Sequence, residues 1–228
     1  MKTIGLIGGM SWESTVTYYQ LLNEAVKEAL GGLHSAKILL FSLEFSEIEA
    51  CQTRGDWDRC AEIMSDAAKK LEAAGADFLL ICTNTMHKVA PQVAAAVSIP
   101  LIHIANTTAD VLLAHGVKKT ALLGTAYTMT QDFYKQRLTD RGIEVVIPDQ
   151  ADVALVHRVI FDELCLGKIR EESRREFSRI IAVLKEKGAE AVILGCTEIG
   201  VLVSQEDSAL PVFDTTVIHA NAAAKLAL

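Results

Sequence analysis

The stretch at residues 71–85, "LEAAGADFLLICTNT", has a counterpart at residues 184–198, "LKEKGAEAVILGCTE". Each runs from the end of a predicted helix through Gly-Ala and an acidic residue, then through an apolar run into Cys-Thr. Cys196 follows Cys82 by 114 positions, which is half of the 228-residue chain. The pattern predicts a duplicated α/β unit with one cysteine at the same place in each copy.

Two further pairs of segments follow the same order. "KTIGLIGGM" at residues 2–10 parallels "KTALLGTAYTM" at 119–129, and "IPLIHIANTTA" at 99–109 parallels "LPVFDTTVIHA" at 210–220. This repeat is far longer than the period of a solenoid. We therefore expect two similar α/β lobes related by a pseudo-twofold axis. The first comprises residues 1–100 plus 212–228, the second comprises residues 101–211, and the active site lies in a cleft between them.

Short apolar runs alternate with helical patterns along the chain. The runs that predict strands are residues 3–8, 37–43, 77–82, 100–103, 120–124, 144–147, 191–196 and 211–213. Most are continuously hydrophobic, which is typical of parallel strands covered on both faces. Ser11 and Asp56 are predicted to cap helices. The first of these helices has an apolar stripe at Val16, Tyr19, Leu22, Val26 and Leu30.

Composition excludes several classes of function. Half of the residues are hydrophobic, 22% are charged and the net charge is −7, so a packed core is expected and a basic surface for nucleic acid or anionic membrane is not. The five cysteines show neither CxxC nor metal-ligand spacing, which favours reduced thiols, a cytoplasmic location and no metal. "GLIGGM" is not the GxGxxG pattern of a dinucleotide site.

Both Cys82 and Cys196 fall at the carboxyl ends of predicted parallel strands, where ligands bind in such sheets. A helix is expected after each, capped by Thr83 or Thr85 in the first copy and by Thr197 in the second. A helix N-terminus lowers the pKa of a nearby thiol. Two opposed thiols of this kind can remove a proton from one face of a carbon and deliver one to the other face.

The sequence closely resembles the cofactor-independent aspartate/glutamate racemase family. The motifs that carry the resemblance are "GLIGGMSWES", "CTNTMH", "LLGTAYTM" and "GCTEIG", and together they span most of the chain. The resemblance implies an isomerase that interconverts the L and D enantiomers of aspartate, glutamate or both, without pyridoxal phosphate or another cofactor. It implies that Cys82 deprotonates the D-form and Cys196 the L-form. It also implies a homodimer.

The resemblance assigns the remaining site residues by their place in these motifs. Thr83, Asn84 and Thr85 correspond to the cradle of the substrate carboxylate, and Thr197 to a residue that holds the amino group. Met10 belongs to the first loop, Thr125 to the equivalent loop of the second half, and Gln52 to a loop that contacts the distal part of the substrate.

Two positions depart from the pattern of some archaeal members, which hold the substrate's side-chain carboxylate with an arginine and a lysine. The arginine position falls at Ile48 or Glu49 and the lysine position at Cys165. Arg54 and Lys168 are the basic residues nearest to these positions. The side chain of the substrate therefore stays open in the sequence.

Several alternatives remain at this point. The same scaffold serves broad-specificity amino-acid racemases, maleate isomerases, hydantoin racemases and an arylmalonate decarboxylase, and a non-catalytic amino-acid binding module belongs to another class. His87 either tunes the site, or caps a helix, or lies on a helix surface. Glu198 either orients the amino group or the thiol, or is an ordinary residue of a first helical turn.

Overall fold

The computed structural model describes all residues from 1 to 228. The chain forms two compact units. Unit 1 contains residues 1–104 and 219–228, and unit 2 contains residues 105–218.

Unit 1 is built on a parallel three-stranded sheet with the order β2-β1-β3. The strands are β1 (Thr3–Gly8), β2 (Lys37–Ser42) and β3 (Phe78–Ile81). In the register of β1 and β3, Ile7 lies opposite Ile81. The central strand β1 and β3 are almost wholly buried, as their continuous apolar runs predict, whereas the edge strand β2 is partly exposed.

Four helices and a short 3-10 helix accompany this sheet. They are α1 (Trp12–Leu30), α2 (Phe45–Arg54), α3 (Trp57–Ala73), the 3-10 helix Thr85–Val89 and α4 (Ala90–Ala95). The predicted caps are confirmed, because the Ser11 side chain accepts from Ser14 N and the Asp56 side chain accepts from Arg59 N. The helix capped by Asp56, α3, buries Cys60, Ala61, Met64, Ala67, Ala68 and Leu71.

Unit 2 is built on a parallel four-stranded sheet with the order β5-β4-β6-β7. The strands are β4 (Lys119–Gly124), β5 (Glu144–Val146), β6 (Ala191–Gly195) and β7 (Val212–Asp214). Gly124 at the end of β4 lies opposite Gly195 at the end of β6. The close pairing of the two glycines leaves no room for a side chain at Gly124, where a Cβ would press on the Gly195 carbonyl.

The remaining helices are α5 (Ile104–Ala114), α6 (Ala126–Thr130), α7 (Asp132–Thr139), α8 (Gln150–Asp162), α9 (Glu171–Glu186), α10 (Ile199–Leu202) and α11 (Thr215–Ala227). Two more 3-10 helices cover Leu164–Leu166 and Gln205–Asp207. No helix of the protein is both long enough and apolar enough to cross a bilayer.

The two sheets repeat one strand order, in agreement with the duplication read from the sequence. The order β2-β1-β3 of unit 1 corresponds to β5-β4-β6 of unit 2. The predicted strand at residues 100–103 is reduced to an isolated parallel bridge between Leu79 and Leu101, beside β3. This bridge holds the place in unit 1 that the full strand β7 holds in unit 2.

Two expectations differ from the structure. The boundary expected at residue 212 differs from the observed division, because Val212–Asp214 pairs with β6 and lies in unit 2. The stripe predicted on α1 is wrong in part. Tyr18, Leu22 and Val26 are buried with Ser14 and Thr15, whereas Val16, Tyr19 and Leu30 are exposed. The buried face therefore lies to one side of the expected stripe.

The cap at Asp56 gives a test of the fold. Asp56→Ala removes the oxygen that accepts from Arg59 N at 3.1 Å, so we expect the free energy of unfolding to fall by about 1 kcal/mol. Asp56→Asn keeps an oxygen at the cap and is expected to lose much less. Both changes are measured by urea denaturation. Equal losses for the two variants would show that the cap does not stabilise α3.

Candidate active site

Cys82 directly follows β3, at the carboxyl edge of the sheet of unit 1. Its backbone N–H donates to the carbonyl of Ile7 at 3.0 Å, which continues the pairing of β3 with β1. The side chain is 1% exposed and belongs to an apolar cluster with Leu6, Leu80 and Ala220. Burial raises the pKa of the Cys82 thiol far above its ordinary value.

The segment after Cys82 does not form the helix N-terminus that the sequence predicts. Asn84, not Thr83 or Thr85, precedes the 3-10 helix, and its side chain makes no capping hydrogen bond there. The following helix, α4, has only six residues. The expected lowering of the Cys82 pKa is therefore wrong, because so short a helix offers little dipole against the desolvation of a buried thiol.

His87 forms hydrogen bonds to the segment after Cys82 and to Ile104 at the start of α5. Its Nδ1–H donates to the carbonyl of Thr83 at 2.8 Å, and its Nε2 accepts from the backbone N–H of Ile104 at 3.2 Å. Both bonds require the neutral ring with the proton on Nδ1. His87 is 1% exposed. It therefore positions the backbone next to Cys82 and is not a surface residue.

A second buried histidine, His219, is held in the opposite tautomer. Its Nε2–H donates to the carbonyl of Ile102, and its Nδ1 accepts from the hydroxyl of Tyr18, both at 2.8 Å. The ring centroids of His87 and His219 lie 5.7 Å apart, and that of His103 lies 4.5 Å from His87. The sequence missed this cluster, since Tyr18 and His219 are 201 positions apart and only the tertiary structure brings them together.

The first loop of unit 1 lies beside Cys82. Gly9 has a φ of 87° and donates its N–H to Thr15 Oγ1 at 2.8 Å. A side chain at Gly9 would collide with the backbone of Leu43. Met10 follows this turn and is buried, and its peptide bond to Ser11 is cis. Because β1 pairs with β3, the first loop and Cys82 leave the sheet at the same edge.

Gln52, expected in a loop, lies on helix α2 and faces the segment after Cys82. Its side chain is buried, and Nε2 donates to Met86 Sδ at 3.0 Å. On the same helix Ile48, one of the two positions that could correspond to the arginine of archaeal members, is fully buried in the core. Arg54 Nη2 lies 3.5 Å from Cys51 Sγ.

In unit 2, Cys196 directly follows β6 and is 8% exposed. Its thiol donates to Glu198 Oε2 at 3.0 Å, and the Thr197 hydroxyl donates to the same oxygen at 2.6 Å. Burial raises the pKa of Cys196 well above its ordinary value, and the charge of Glu198 raises it further, followed by that of Cys165. Cys165, expected to have no chemical role, therefore lies near the second thiol.

The helix expected after Cys196 is also too short to act as predicted. It is α10, with four residues, and it is preceded by Glu198 and not capped by Thr197. The lowering of the Cys196 pKa expected from this helix is wrong for the same reason as at Cys82. The Thr197 hydroxyl binds the carboxylate of Glu198 instead of a helix terminus.

The structure brings Thr125 to the edge of the sheet beside Cys196, whereas Lys168 is an exposed residue. Thr125 follows β4, whose last residue pairs with the residue before Cys196. Its side chain caps α6 by accepting from Thr128 N at 3.3 Å. Lys168 is exposed and makes no ion pair, and its backbone N–H donates to Glu163.

No group of three His, Cys, Asp or Glu side chains is arranged to hold a metal ion. The two thiols lie at matching positions of the repeat but differ in their surroundings. Cys82 belongs to an apolar cluster of unit 1, and Cys196 of unit 2 donates a hydrogen bond to a carboxylate.

The chain matches the family model described as Asp/Glu/hydantoin racemase over residues 7–223. A candidate Asp/Glu racemase from Yersinia pestis, of solved structure, is 54% identical, with a TM-score of 0.93 over 100% of this chain and 99% of that chain. An aspartate racemase homologue from Pyrococcus horikoshii OT3 is 36% identical, with a TM-score of 0.87 over 100% and 99% of the two chains. The broad specificity amino-acid racemase RacX of Bacillus subtilis (strain 168) is 25% identical over 93% of this chain and 92% of its own.

His219 makes the stability of the protein depend on pH. Burial lowers its pKa from 6.5 to about 4, so the unfolded chain takes up a proton at a higher pH than the folded protein. The stability contributed by neutral His219 is complete above pH 6.5 and is lost as the pH falls toward 4, by up to about 3 kcal/mol.

His219→Gln keeps a donor for Ile102 and an acceptor for Tyr18 but cannot take up a proton. The variant should therefore lose less stability than the parent protein between pH 6.5 and 4, as measured by urea denaturation at each pH. His34→Gln, at an exposed histidine, is the matched control and should follow the parent. Parallel curves for the parent and His219→Gln would contradict the assignment.

Proposed function

Because the chain belongs to the Asp/Glu/hydantoin racemase family and is an amino-acid racemase, we propose that Cys82 and Cys196 are its two acid–base residues. One observation carries the proposal. Each cysteine directly follows the strand that pairs with the first strand of its copy of the repeat, at the carboxyl edge of the sheet. A duplicated scaffold with a thiol at both equivalent positions suits a reaction that treats two mirror-image substrates alike.

The proposed reaction moves the α-proton without a cofactor. One cysteine removes the proton from one face of the α-carbon, and the other donates a proton to the opposite face. By the resemblance, Cys82 deprotonates the D-form and Cys196 the L-form. Since the α-hydrogen is a very weak acid, hydrogen-bond donors aimed at the α-carboxylate must stabilise the carbanion. The cleft between the lobes that would hold the substrate stays a prediction from the sequence.

The substrate contacts are proposals of the same kind. Thr83, Asn84 and Thr85 are proposed to bind the α-carboxylate and Thr197 the amino group, with Met10 and Thr125 in the two equivalent loops. Gln52 and Lys168 are proposed to face the distal end of the substrate. The support is strongest for the residues beside the cysteines and weakest for Lys168, which is exposed.

We propose aspartate, glutamate or both as substrates, since one relative is described as an Asp/Glu racemase and another as an aspartate racemase homologue. The arginine that some archaeal members use to bind a side-chain carboxylate is replaced here by Ile48 or Glu49, and this favours a broad-specificity amino-acid racemase as the alternative. A maleate-isomerase-like or hydantoin-racemase-like reaction would keep the same scaffold. A non-catalytic binding module would bind amino acids tightly without turnover, even after both thiols are removed.

The resemblance also implies a homodimer, which we propose to form through an exposed apolar face of α1. Trp12, Val16 and Tyr19 are 65%, 54% and 56% exposed and lie at the i, i+4, i+7 spacing of one helix face. Leu40 of the edge strand β2 is also exposed. The side chains of Leu40 and of Thr15 on α1 both border the space beside Gly8, which places Leu40 close to α1. A cytoplasmic location stays a prediction that rests on the five free cysteines.

Cys82→Ser and Cys196→Ser test the reaction. Purified protein without added cofactor is incubated with single enantiomers of aspartate, glutamate and neutral amino acids, and the products are separated by chiral chromatography. Each variant is expected to lose activity by roughly 10²- to 10⁴-fold, because serine is a far poorer base and acid than cysteine. Cys60→Ser, at a buried cysteine of α3 whose pKa of about 11 results mainly from burial, is the control and should stay active if it folds.

The same reaction in D₂O should place deuterium on the α-carbon of the product enantiomer. Racemisation without entry of solvent deuterium would contradict the two-thiol mechanism. Tight binding of an amino acid by the double serine variant, with no turnover by the parent protein, would support the binding module instead.

Val16→Glu and Tyr19→Glu test the homodimer. A buried, unpaired carboxylate in an apolar interface is costly, so we expect both variants to sediment with the mass of one chain where the parent sediments with the mass of two. Ala94→Glu places the same charge at an exposed residue of α4 and should leave the mass unchanged. A parent protein that sediments as a monomer would exclude the homodimer.

A further inference from the structure

The two thiols have different electrostatic surroundings. Cys82 lies in an apolar cluster, and burial alone accounts for the displacement of its pKa. Cys196 donates a hydrogen bond at 3.0 Å to Glu198, whose side chain is itself buried. The two thiols therefore occupy equivalent positions of the repeat, but only Cys196 in the second copy donates to a carboxylate.

The hydrogen bond from Thr197 holds the carboxylate of Glu198 beside the thiol. The Thr197 hydroxyl donates at 2.6 Å to Oε2, the same oxygen that accepts from the Cys196 thiol at 3.0 Å. The negative charge of Glu198 is also one cause of the raised pKa of Cys196. The thiol therefore lies within hydrogen-bond distance of a carboxylate oxygen that could accept its proton.

A buried thiol cannot act as a base until its proton has been removed. At Cys196 both burial and the neighbouring negative charge oppose a free thiolate, since two negative charges would then lie side by side. The pair of Cys196 and Glu198 already carries one negative charge. Moving the thiol proton to the carboxylate creates the thiolate without adding charge to the site.

We propose that Glu198 accepts the thiol proton of Cys196 whenever Cys196 acts as the base, and this role rests on the proposed racemase function. In this step the S–H bond of Cys196 breaks and an O–H bond forms on Glu198 Oε2. The thiolate then takes the α-proton of the substrate and is a thiol again, while Cys82 gives its proton to the other face. Solvent later carries the proton of Glu198 away and returns one to Cys82. Glu198 acts through Cys196 and is a positioning and proton-accepting residue.

Other titratable groups lie on the elements around Cys196. They are Cys165 after α8, Arg174 on α9, Asp214 on β7 and His157 on α8. Arg174 Nε donates to the carbonyl of Leu202 at the end of α10, and Asp214 lies against Gly200. His157 Nδ1 accepts from Ala126 N, and burial lowers the pKa of His157 below 6.5. All of these groups are present in both the parent and Glu198→Gln, so a difference between their pH profiles is due to Glu198.

Glu198→Gln keeps an oxygen for the thiol hydrogen bond but cannot accept the proton. We expect the parent's kcat/KM to be nearly constant from pH 6 to 8.5, because a carboxylate with a neighbouring thiol is the active form across this range. In Glu198→Gln the thiolate must form by ionisation to solvent. Its kcat/KM should fall about 100-fold at pH 7 and rise about tenfold per pH unit. Glu206→Gln makes the same change at an exposed position and should behave like the parent.

Alkylation of Cys196 by iodoacetamide, followed on its peptide by mass spectrometry, gives a readout that does not depend on racemisation. Only the thiolate is alkylated. Because the parent can transfer the thiol proton to Glu198, its rate of alkylation at Cys196 should be nearly constant from pH 6 to 8.5. Glu198→Gln should be alkylated more slowly at pH 7, at a rate that rises about tenfold per pH unit. A purely structural role of Glu198 would leave the two pH profiles parallel.

Three results would decide against the proposal. They are a parent kcat/KM that itself rises tenfold per pH unit, parallel profiles in the parent and Glu198→Gln, and an unchanged alkylation profile. The first needs no variant and therefore holds even if Glu198→Gln does not fold. A parent that racemises no amino acid but shows the alkylation shift would overturn the proposed function while supporting proton sharing between Cys196 and Glu198.

Discussion

Parallel hydrogen bonding between the first strand of each unit and the strand that precedes its cysteine is the constraint on which the candidate site depends. The pairing of β1 with β3 continues into a bond from Cys82 N to Ile7, and the pairing of β4 with β6 ends with Gly124 opposite Gly195. Both cysteines therefore leave the sheet beside a loop that follows its first strand. A shift of register would separate the thiol from that loop, because neighbouring strands must keep their ladder of backbone bonds.

Burial, and not helix dipoles, controls the chemistry of the two thiols. The helical turns that follow them are short, and desolvation raises both pKa values. A buried thiol stays protonated at rest, so in the proposed reaction it is available to donate a proton but must first lose its own proton before it can act as a base. At Cys196 the proposed role of Glu198 is to accept that proton. At Cys82 the buried histidines His87 and His219 are neutral and hold backbone in place without adding charge.

Much of the fold could be predicted because its signals are local or repeated. Continuous apolar runs marked seven of the strands, side-chain caps at Ser11 and Asp56 marked two helix starts, and the repeated Gly-Ala-acid to Cys-Thr pattern marked the duplication. The errors arise where distant contacts decide. Residues 100–103 form one bridge instead of a strand, and α1 buries Tyr18 instead of Tyr19, because Tyr18 pairs with His219 from the far end of the chain.

The sequence by itself determined the α/β class, the duplication and the presence of a cysteine at the end of a strand in each copy, because these follow from short-range periodicity and from comparison of one half with the other. Only the tertiary structure decided what surrounds each thiol. The apolar cluster at Cys82, the bond from Cys196 to Glu198 and the core position of Ile48 depend on which side chains exclude water together. The free energy of a charged group depends on how far water is excluded from it, and this exclusion cannot be predicted from a local pattern of residues.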